Sequence, residues 1–119
     1  MEKVLNKKNI LLPGKLSIMS LIMLLSTNVQ AEKIGELLYM QNCMVCHADD
    51  GSGAMPGVFD LTENRNWSTL PEKKLLDKMI KGIQKSGGAM NMPPKGGNPN
   101  LKDKDLLKII SYIRKEFIK

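Results

Sequence analysis

The feature that most constrains this chain is the pentapeptide Cys43-Met44-Val45-Cys46-His47, which holds both cysteines and the only histidine. Two thiols and an imidazole in the order C-x-x-C-H form the attachment pattern of a c-type haem. The two thiols can each add across a vinyl group on one edge of the porphyrin, and His47 can then ligate the iron. The sequence therefore predicts one covalently bound haem c, attached through Cys43 and Cys46.

Three other interpretations of the pentapeptide are weaker. A thioredoxin-type C-x-x-C needs a βαβ context, and no β-branched strand pattern surrounds this one. A zinc site needs four ligands, whereas Cys43, Cys46 and His47 are the only thiols and imidazole available. A disulfide between residues so close in sequence would close a very small loop and stabilise little.

The N-terminal part of the chain reads as a targeting segment. Four lysines precede or border an uncharged apolar run, Leu16–Ser26, and the small-residue pattern of a signal peptidase site ends at Ala31. This order predicts a signal peptide over residues 1–31, with cleavage before Glu32 and export to the periplasm. The alternative is a retained anchor facing the periplasm, although the uncharged stretch 16–30 is shorter than the ~20 residues that span a bilayer.

The predicted mature chain, residues 32–119, is long enough for a single domain. It carries 14 basic and 11 acidic residues, a net charge of +3. No basic stripe alternates with aromatic residues, so nucleic acid is not an expected partner. A domain of this size struggles to build a sufficient core, and a covalently held haem would supply the missing apolar body.

Apolar periodicity predicts helices and no strand in the mature chain, which indicates an all-α fold. The predicted helices span residues 32–44, 69–83 and 103–117. The second would begin with a capping box formed by Thr69 and Glu72 and would stop at Gly87 and Gly88. Gly35 weakens the first helix, which indicates that another backbone approaches there. The segments between the helices are rich in Gly, Pro and Asn and are predicted to be loops.

With the motif at the end of a first helix, Met92-Pro93 in a Gly/Pro-rich loop and Tyr112 in the last helix, the chain resembles the class I monohaem c-type cytochromes. The resemblance covers essentially all of residues 32–119. It implies a cytochrome c fold of three to four helices packed around one haem. It also implies thioether bonds from Cys43 and Cys46.

The same resemblance assigns the metal ligands and one helix contact. His47 Nε2 would be the proximal iron ligand, and a methionine before the last helix would be the distal one. Gly35 and Tyr39 look like the first-helix positions that pack against the last helix. The residues expected to meet them there are Ile109 and Tyr112.

The distal ligand has to be chosen among nine methionines. Six are set aside because they lie in the leader, beside the attachment motif or in an apolar helix stripe: Met1, Met19, Met23, Met40, Met44 and Met79. Met55, Met90 and Met92 remain. Met92 is the predicted ligand because Pro93 and Pro94 fix an extended backbone after it, as in the Met-Pro loop of the resembled family.

Two further residues are candidates for contacts around the haem. The carbonyl of Pro56 could accept a hydrogen bond from His47 Nδ1 and so orient the imidazole ring. The indole N–H of Trp67 could donate to a haem propionate, as a tryptophan does in some members of the resembled family. The alternative for Trp67 is ordinary packing.

Iron with both axial positions filled by protein can change charge by one electron but has no vacancy for a substrate. The sequence therefore predicts an electron carrier between periplasmic redox partners, and not an enzyme. Alternatives are a haem subunit of a larger oxidoreductase, or a haem enzyme or gas-binding module with a displaceable distal ligand. No stable membrane insertion is expected.

A set of lysines near the methionine loop could form a face that steers acidic redox partners. The alternative for these residues is a merely solvated helix face. They are Lys73, Lys74, Lys78, Lys81, Lys85 and Lys95.

Overall fold

The computed structural model describes residues 29–63, 65–84 and 90–118. The predicted signal peptide therefore lies outside the described residues except for 29–31, which are helical. Lys85 and the predicted helix stop at Gly87 and Gly88 also lie outside them. The described helices are α1 at residues 29–42, α2 Met44–His47, α3 Arg65–Ser68, α4 Glu72–Lys81 and α5 Asp103–Phe117, with a 3₁₀ turn at Pro94–Gly97.

The attachment pentapeptide lies at the C-terminal end of α1, as predicted. Cys43 leaves the regular helix with φ −121°, yet its N–H still donates to the carbonyl of Tyr39 at 2.8 Å. The next turn, α2, follows at once, and the N–H of His47 donates to the carbonyl of Cys43 at 2.9 Å. Local helical bonding therefore presents both thiols and the imidazole on one short segment.

Helix α1 packs against α5 through the glycine and tyrosine that the sequence singled out. A Cβ at Gly35 would lie 2.5 Å from the carbonyl oxygen of Lys108 and 3.1 Å from Cβ of Tyr112. One turn later Tyr39 is 1% exposed, with its ring centroid 5.4 Å from Tyr112 and 5.3 Å from Phe117. The predicted close approach at Gly35 is therefore confirmed, and the contact of Tyr39 with Tyr112 is as expected.

Helix α5 occupies the predicted range and buries one apolar face. Its buried residues are Leu106, Ile109, Ile110, Ile113 and Phe117. At its start the Asp105 carboxylate accepts a hydrogen bond from the backbone N–H of Lys102 at 3.0 Å. This bond satisfies one of the donors that a helix N-terminus leaves without an intrahelical partner.

Helix α4 is shorter than predicted at both ends. The predicted capping box is wrong, because Thr69 Oγ1 donates to the carbonyl of Asn66 and the residue before the helix is Pro71. The helix ends at Gly82, which adopts φ +75°. Leu75 and Met79 form its buried face.

The all-α class is confirmed. Within the described ranges the β structure is one isolated antiparallel bridge, between Ile83 and Met92. Among these residues no helix combines the length and the apolar character needed to cross a membrane.

Candidate haem site

A largely apolar cavity of about 500 Å³ lies between the helices. Residues of the attachment segment form one wall, residues of α4 and of the Met92 segment form another, and Ile110 and Ile113 of α5 contribute to the lining. The volume falls within the ~300–1,000 Å³ of small-molecule and cofactor pockets. Five of the six predicted site residues line this one cavity: Cys43, Cys46, His47, Trp67 and Met92.

Both cysteines are free thiols in different surroundings. Cys43 is buried and Cys46 is partly exposed. Burial, together with the neighbouring Cys46 thiol, raises the pKa of Cys43 to about 12. Cys43 is therefore a protonated thiol at neutral pH, facing an apolar cavity.

The imidazole of His47 is oriented by a backbone carbonyl. Its Nδ1 lies 3.2 Å from the carbonyl oxygen of Phe59. The tautomer protonated at Nδ1 donates to this oxygen and leaves Nε2 as the basic nitrogen. The acceptor at Nδ1 is therefore the carbonyl of Phe59, and not the predicted carbonyl of Pro56, which lies three positions earlier in the chain.

The residue after the histidine is held by a buried tyrosine. The Tyr39 hydroxyl donates to the carbonyl of Ala48 at 2.7 Å. Ala48 adopts φ 64° and ψ 171°, a region that is essentially reserved for glycine. Burial, with the Cys43 thiol as the next contributor, raises the pKa of Tyr39 above its ordinary value. The neutral hydroxyl is the form that donates, so burial and the hydrogen bond act together.

Met92 reaches the cavity from a position where its backbone pairs with that of Ile83. Its N–H donates to the carbonyl of Ile83 and its carbonyl accepts from the N–H of Ile83, both at 2.9 Å. Met92 is partly buried against the core. Met90 also lines the cavity but is 43% exposed, whereas Met55 lies outside the lining. Of the three methionines left open by the sequence, the cavity therefore includes two.

Trp67 lines the cavity, and its indole N–H donates to the carbonyl of Leu61 at 3.2 Å. An indole nitrogen carries a single proton. A bond to a haem propionate would require exchange of this partner, so the geometry favours the packing alternative for Trp67.

The lysines of the predicted face differ in their contacts. Lys78 is exposed and lines the cavity, while Lys73 pairs with Asp77 at 3.6 Å. Lys95 turns inward, and its Nζ donates to the carbonyl of Leu101 at 2.7 Å. Lys95 therefore supports the methionine loop, a role that the sequence pattern did not indicate.

Sequence reasoning missed three residues that build the site. Phe59 supplies the carbonyl at His47, Gly82 allows the Met92 segment to approach, and Asn42 Oδ1 accepts from Asn98 Nδ2 at 2.8 Å. Gly82 carried a usable signal, since a glycine after an amphipathic run is a typical helix stop. Phe59 and Asn42 carried no such signal, because no sequence pattern marks which backbone carbonyl or which single asparagine will make a tertiary contact.

Comparison with known proteins agrees with this geometry. The family model described as cytochrome c matches residues 32–116. The chain belongs to the cytochrome c family. Cytochrome c-555 of Prosthecochloris aestuarii is 34% identical over 89 residues, which cover 71% of this chain and 86% of that protein. No solved structure gave a significant match.

Membership confirms the predicted resemblance to the monohaem class I c-type cytochromes. It also confirms the predicted class of function, since members of this family are haem-based electron carriers and not enzymes. The family implies a covalently bound haem c. The cavity fits such a group, because both attachment thiols and the imidazole of His47 face one apolar space of suitable volume.

Proposed function

We propose that this cytochrome c is an exported one-electron shuttle whose single haem c is attached through Cys43 and Cys46 and ligated by His47 and Met92. Haem c would supply a one-electron couple at its iron, with thioether ligation raising the reduction potential. The observation that carries the proposal is that these four side chains line one apolar cavity.

Different residues of the chain would orient the ligands, ligate the iron and shield the haem from water. The carbonyl of Phe59 orients His47 through Nδ1, and this kind of bond also raises the basicity of a ligating imidazole. Met92 would supply a soft thioether ligand from the opposite segment. Apolar side chains from α4 and α5 exclude water, so the ligands face little competition from solvent.

Partners would be redox proteins that meet the cavity rim. Lys74, Lys78 and Lys81 are exposed on α4, and Lys78 borders the cavity. A positive rim attracts acidic partners and raises their association rate at low salt. With an acidic partner, we expect the second-order rate constant of electron transfer to fall as salt is added. We also expect Lys78→Glu to have a lower rate constant than the wild type at low salt. A rate independent of salt would contradict the role of these lysines.

Export is the second part of the proposal. A C-x-x-C-H motif and a leader-like segment over residues 1–31 occur in one chain, and the family match begins at residue 32. We expect the mature periplasmic protein to begin at Glu32. Mass spectrometry of the intact protein measures this directly, and a mass that includes residues 1–31 would indicate the anchored alternative.

The ligand assignment is tested by spectroscopy of the holoprotein with wild-type Met92 and with Met92→Ala. We expect the methionine–iron charge-transfer absorption to disappear in Met92→Ala and carbon monoxide to bind rapidly to the reduced form. Met90→Ala is the matched control, because Met90 lines the same cavity two residues away. It should keep both the absorption and the resistance to carbon monoxide.

The reverse result would contradict the proposal. Loss of the absorption in Met90→Ala alone would move the ligand to Met90. Rapid carbon monoxide binding by the wild-type protein at neutral pH would favour a gas-binding module or a haem enzyme over a closed-site carrier.

A further inference from the structure

We propose that Gly82 is a positioning residue for the distal ligand: the absence of a side chain at this position lets the Met92–Pro94 backbone lie against the end of α4 and so directs the Met92 thioether into the cavity. This inference rests on the proposed His47 and Met92 ligation. It adds a residue outside the ligand set that determines whether Met92 can reach the iron.

The close approach of the two backbones is the first observation. A Cβ at Gly82 would lie 2.6 Å from the carbonyl oxygen of Met92, 2.8 Å from the nitrogen of Pro94 and 3.0 Å from the carbonyl carbon of Pro93. All three are backbone atoms, so they cannot rotate away as a flexible side chain would. Any residue with a side chain here has to push the methionine segment outward.

The conformation of Gly82 is the second observation. Its φ of 75° and ψ of 174° lie in a region that is essentially open to glycine alone. This conformation ends α4 and turns the chain so that Ile83 faces Met92. A substitution at Gly82 is therefore unfavourable in two ways, through its own backbone and through the contact.

The backbone pair that follows Gly82 transmits its position to the ligand. Ile83 and Met92 exchange two hydrogen bonds of 2.9 Å, so both backbone groups of Met92 are engaged. Pro93 and Pro94 follow, and a residue that precedes proline is held in an extended conformation. With the backbone fixed in this way, the Met92 side chain has few directions left, and it lines the cavity.

The end of α4 is a firm base for this contact. Leu75 and Met79 of α4 are buried in the same core as Ile110 and Ile113 of α5. Gly82 directly follows the last residue of that helix. Gly82 therefore links the position of the Met92 segment to the buried core of the protein.

The test uses holoprotein carrying Gly82→Ala, with Met92→Ala and Gly53→Ala measured alongside. Gly53 is the matched control: it has φ +98°, but the nearest atom to its Cβ would be 3.5 Å away. Like Gly82→Ala, the variant Gly53→Ala places a side chain on a residue with positive φ, but without a clash against backbone atoms. The readouts are the methionine–iron charge-transfer absorption, the rate of carbon monoxide binding, and the haem that stays attached under denaturing conditions.

We expect Gly82→Ala to lose most of the charge-transfer absorption and to bind carbon monoxide at least about tenfold faster than the wild type. The reason is that the clash and the backbone strain are relieved when the Met92 segment moves away from the cavity. Haem attachment should be unchanged, and Gly53→Ala should keep the absorption. Full absorption in Gly82→Ala together with its loss in Met92→Ala would overturn the inference and leave the proposed function intact. Absorption retained in Met92→Ala would overturn both.

Amide hydrogen exchange in the wild-type holoprotein decides the question if Gly82→Ala does not fold. The N–H groups of Ile83 and Met92 should exchange slowly and together, because each is bonded to the other residue. Fast exchange at both amides, at the rate of an open loop, would show that the pair does not hold Met92 and would overturn the inference.

Discussion

Around Cys43–His47 the backbone hydrogen bonds join residues three to eight positions apart in sequence. The Met92 segment is held by contacts of longer range: Met92 pairs with Ile83, the N–H of Met90 donates to the carbonyl of Gly57, and Asn98 bonds Asn42, 56 positions away. Local bonds form with the helix itself, whereas distant ones require the ends of a long loop to meet. The two sides of the cavity therefore differ in what makes them stable.

This difference indicates which side opens first. Segments held by few, long-range contacts open at a lower free energy than segments inside a packed helix pair. We expect the Met92 side to open well below global unfolding, while the His47 side stays closed until α1 separates from α5. Variants that break one side or the other test this difference.

The largest effect is expected from removing covalent attachment on the His47 side. In the double variant Cys43→Ser, Cys46→Ser we expect nearly complete loss of haem after denaturing electrophoresis, because the haem would be held by non-covalent contacts alone. A haem stain of the gel measures it. Val45→Ser, at a residue 73% exposed between the two cysteines, should keep the stain. A stained double variant would show that attachment does not use these thiols.

Gly35→Ala should destabilise the whole domain, because the new methyl group would lie 2.5 Å from the carbonyl oxygen of Lys108. Overpacking of this kind costs about 1–3 kcal/mol, which corresponds to roughly 4–8 °C in melting temperature for each kcal/mol in a domain of this size. Urea and thermal unfolding measure it, and exposed Gln41→Ala is the control. Stability equal to the wild type would show that α1 can move away from α5 at little cost.

Tyr39→Phe tests the bond that holds Ala48 after the histidine. At neutral pH we expect a loss of about 0.5–1.5 kcal/mol, the net value of one hydrogen bond, while the ring packing against Tyr112 and Phe117 is kept. Urea unfolding followed by circular dichroism measures it. Unchanged stability would show that the bond to Ala48 contributes nothing in solution.

Tyr39→Phe also allows a prediction of how the free energy of unfolding changes with pH. Burial raises the pKa of Tyr39 in the folded protein above its ordinary value of 10.0. The associated stability is complete below pH 10 and is lost as the pH rises above it. The gap between wild type and Tyr39→Phe should therefore narrow above pH 10. Tyr112→Phe, at a partly exposed tyrosine, should leave most of the alkaline loss in place. A gap that widens above pH 10 would contradict the buried, neutral state of Tyr39.

The smallest effect is expected on the Met92 side, from Asn42→Ala. This change removes the acceptor of the Asn98 amide and should raise the affinity for added imidazole by roughly two- to tenfold, the equivalent of one hydrogen bond. Optical titration measures it. Asn42→Asp keeps an oxygen for Asn98 and should bind imidazole like the wild type. Equal affinities in all three proteins would show that this contact does not restrain the methionine loop.

Much of the fold could be predicted from residue patterns. The apolar stripe of α5, Asp103–Phe117, matches its buried face because a 3.6-residue apolar period is typical of a helix with one side against the core. Gly35 stands out because a glycine inside a helical pattern is costly unless close packing requires it. The start of α4 could not be predicted, since Thr69 and Glu72 fit a capping pattern locally, whereas in the structure Thr69 Oγ1 donates to the carbonyl of Asn66 and Pro71 precedes the helix.

The sequence by itself determined the attachment motif, the predicted proximal ligand and the choice of three distal methionines, because their chemistry depends on residue type and short spacing. The tertiary structure alone decided that the carbonyl at His47 belongs to Phe59, that Lys95 turns inward, and that Gly82 brings Met92 to the cavity. Each of these contacts involves a backbone group. Every residue carries the same backbone groups, so no pattern in the sequence distinguishes the ones that will meet.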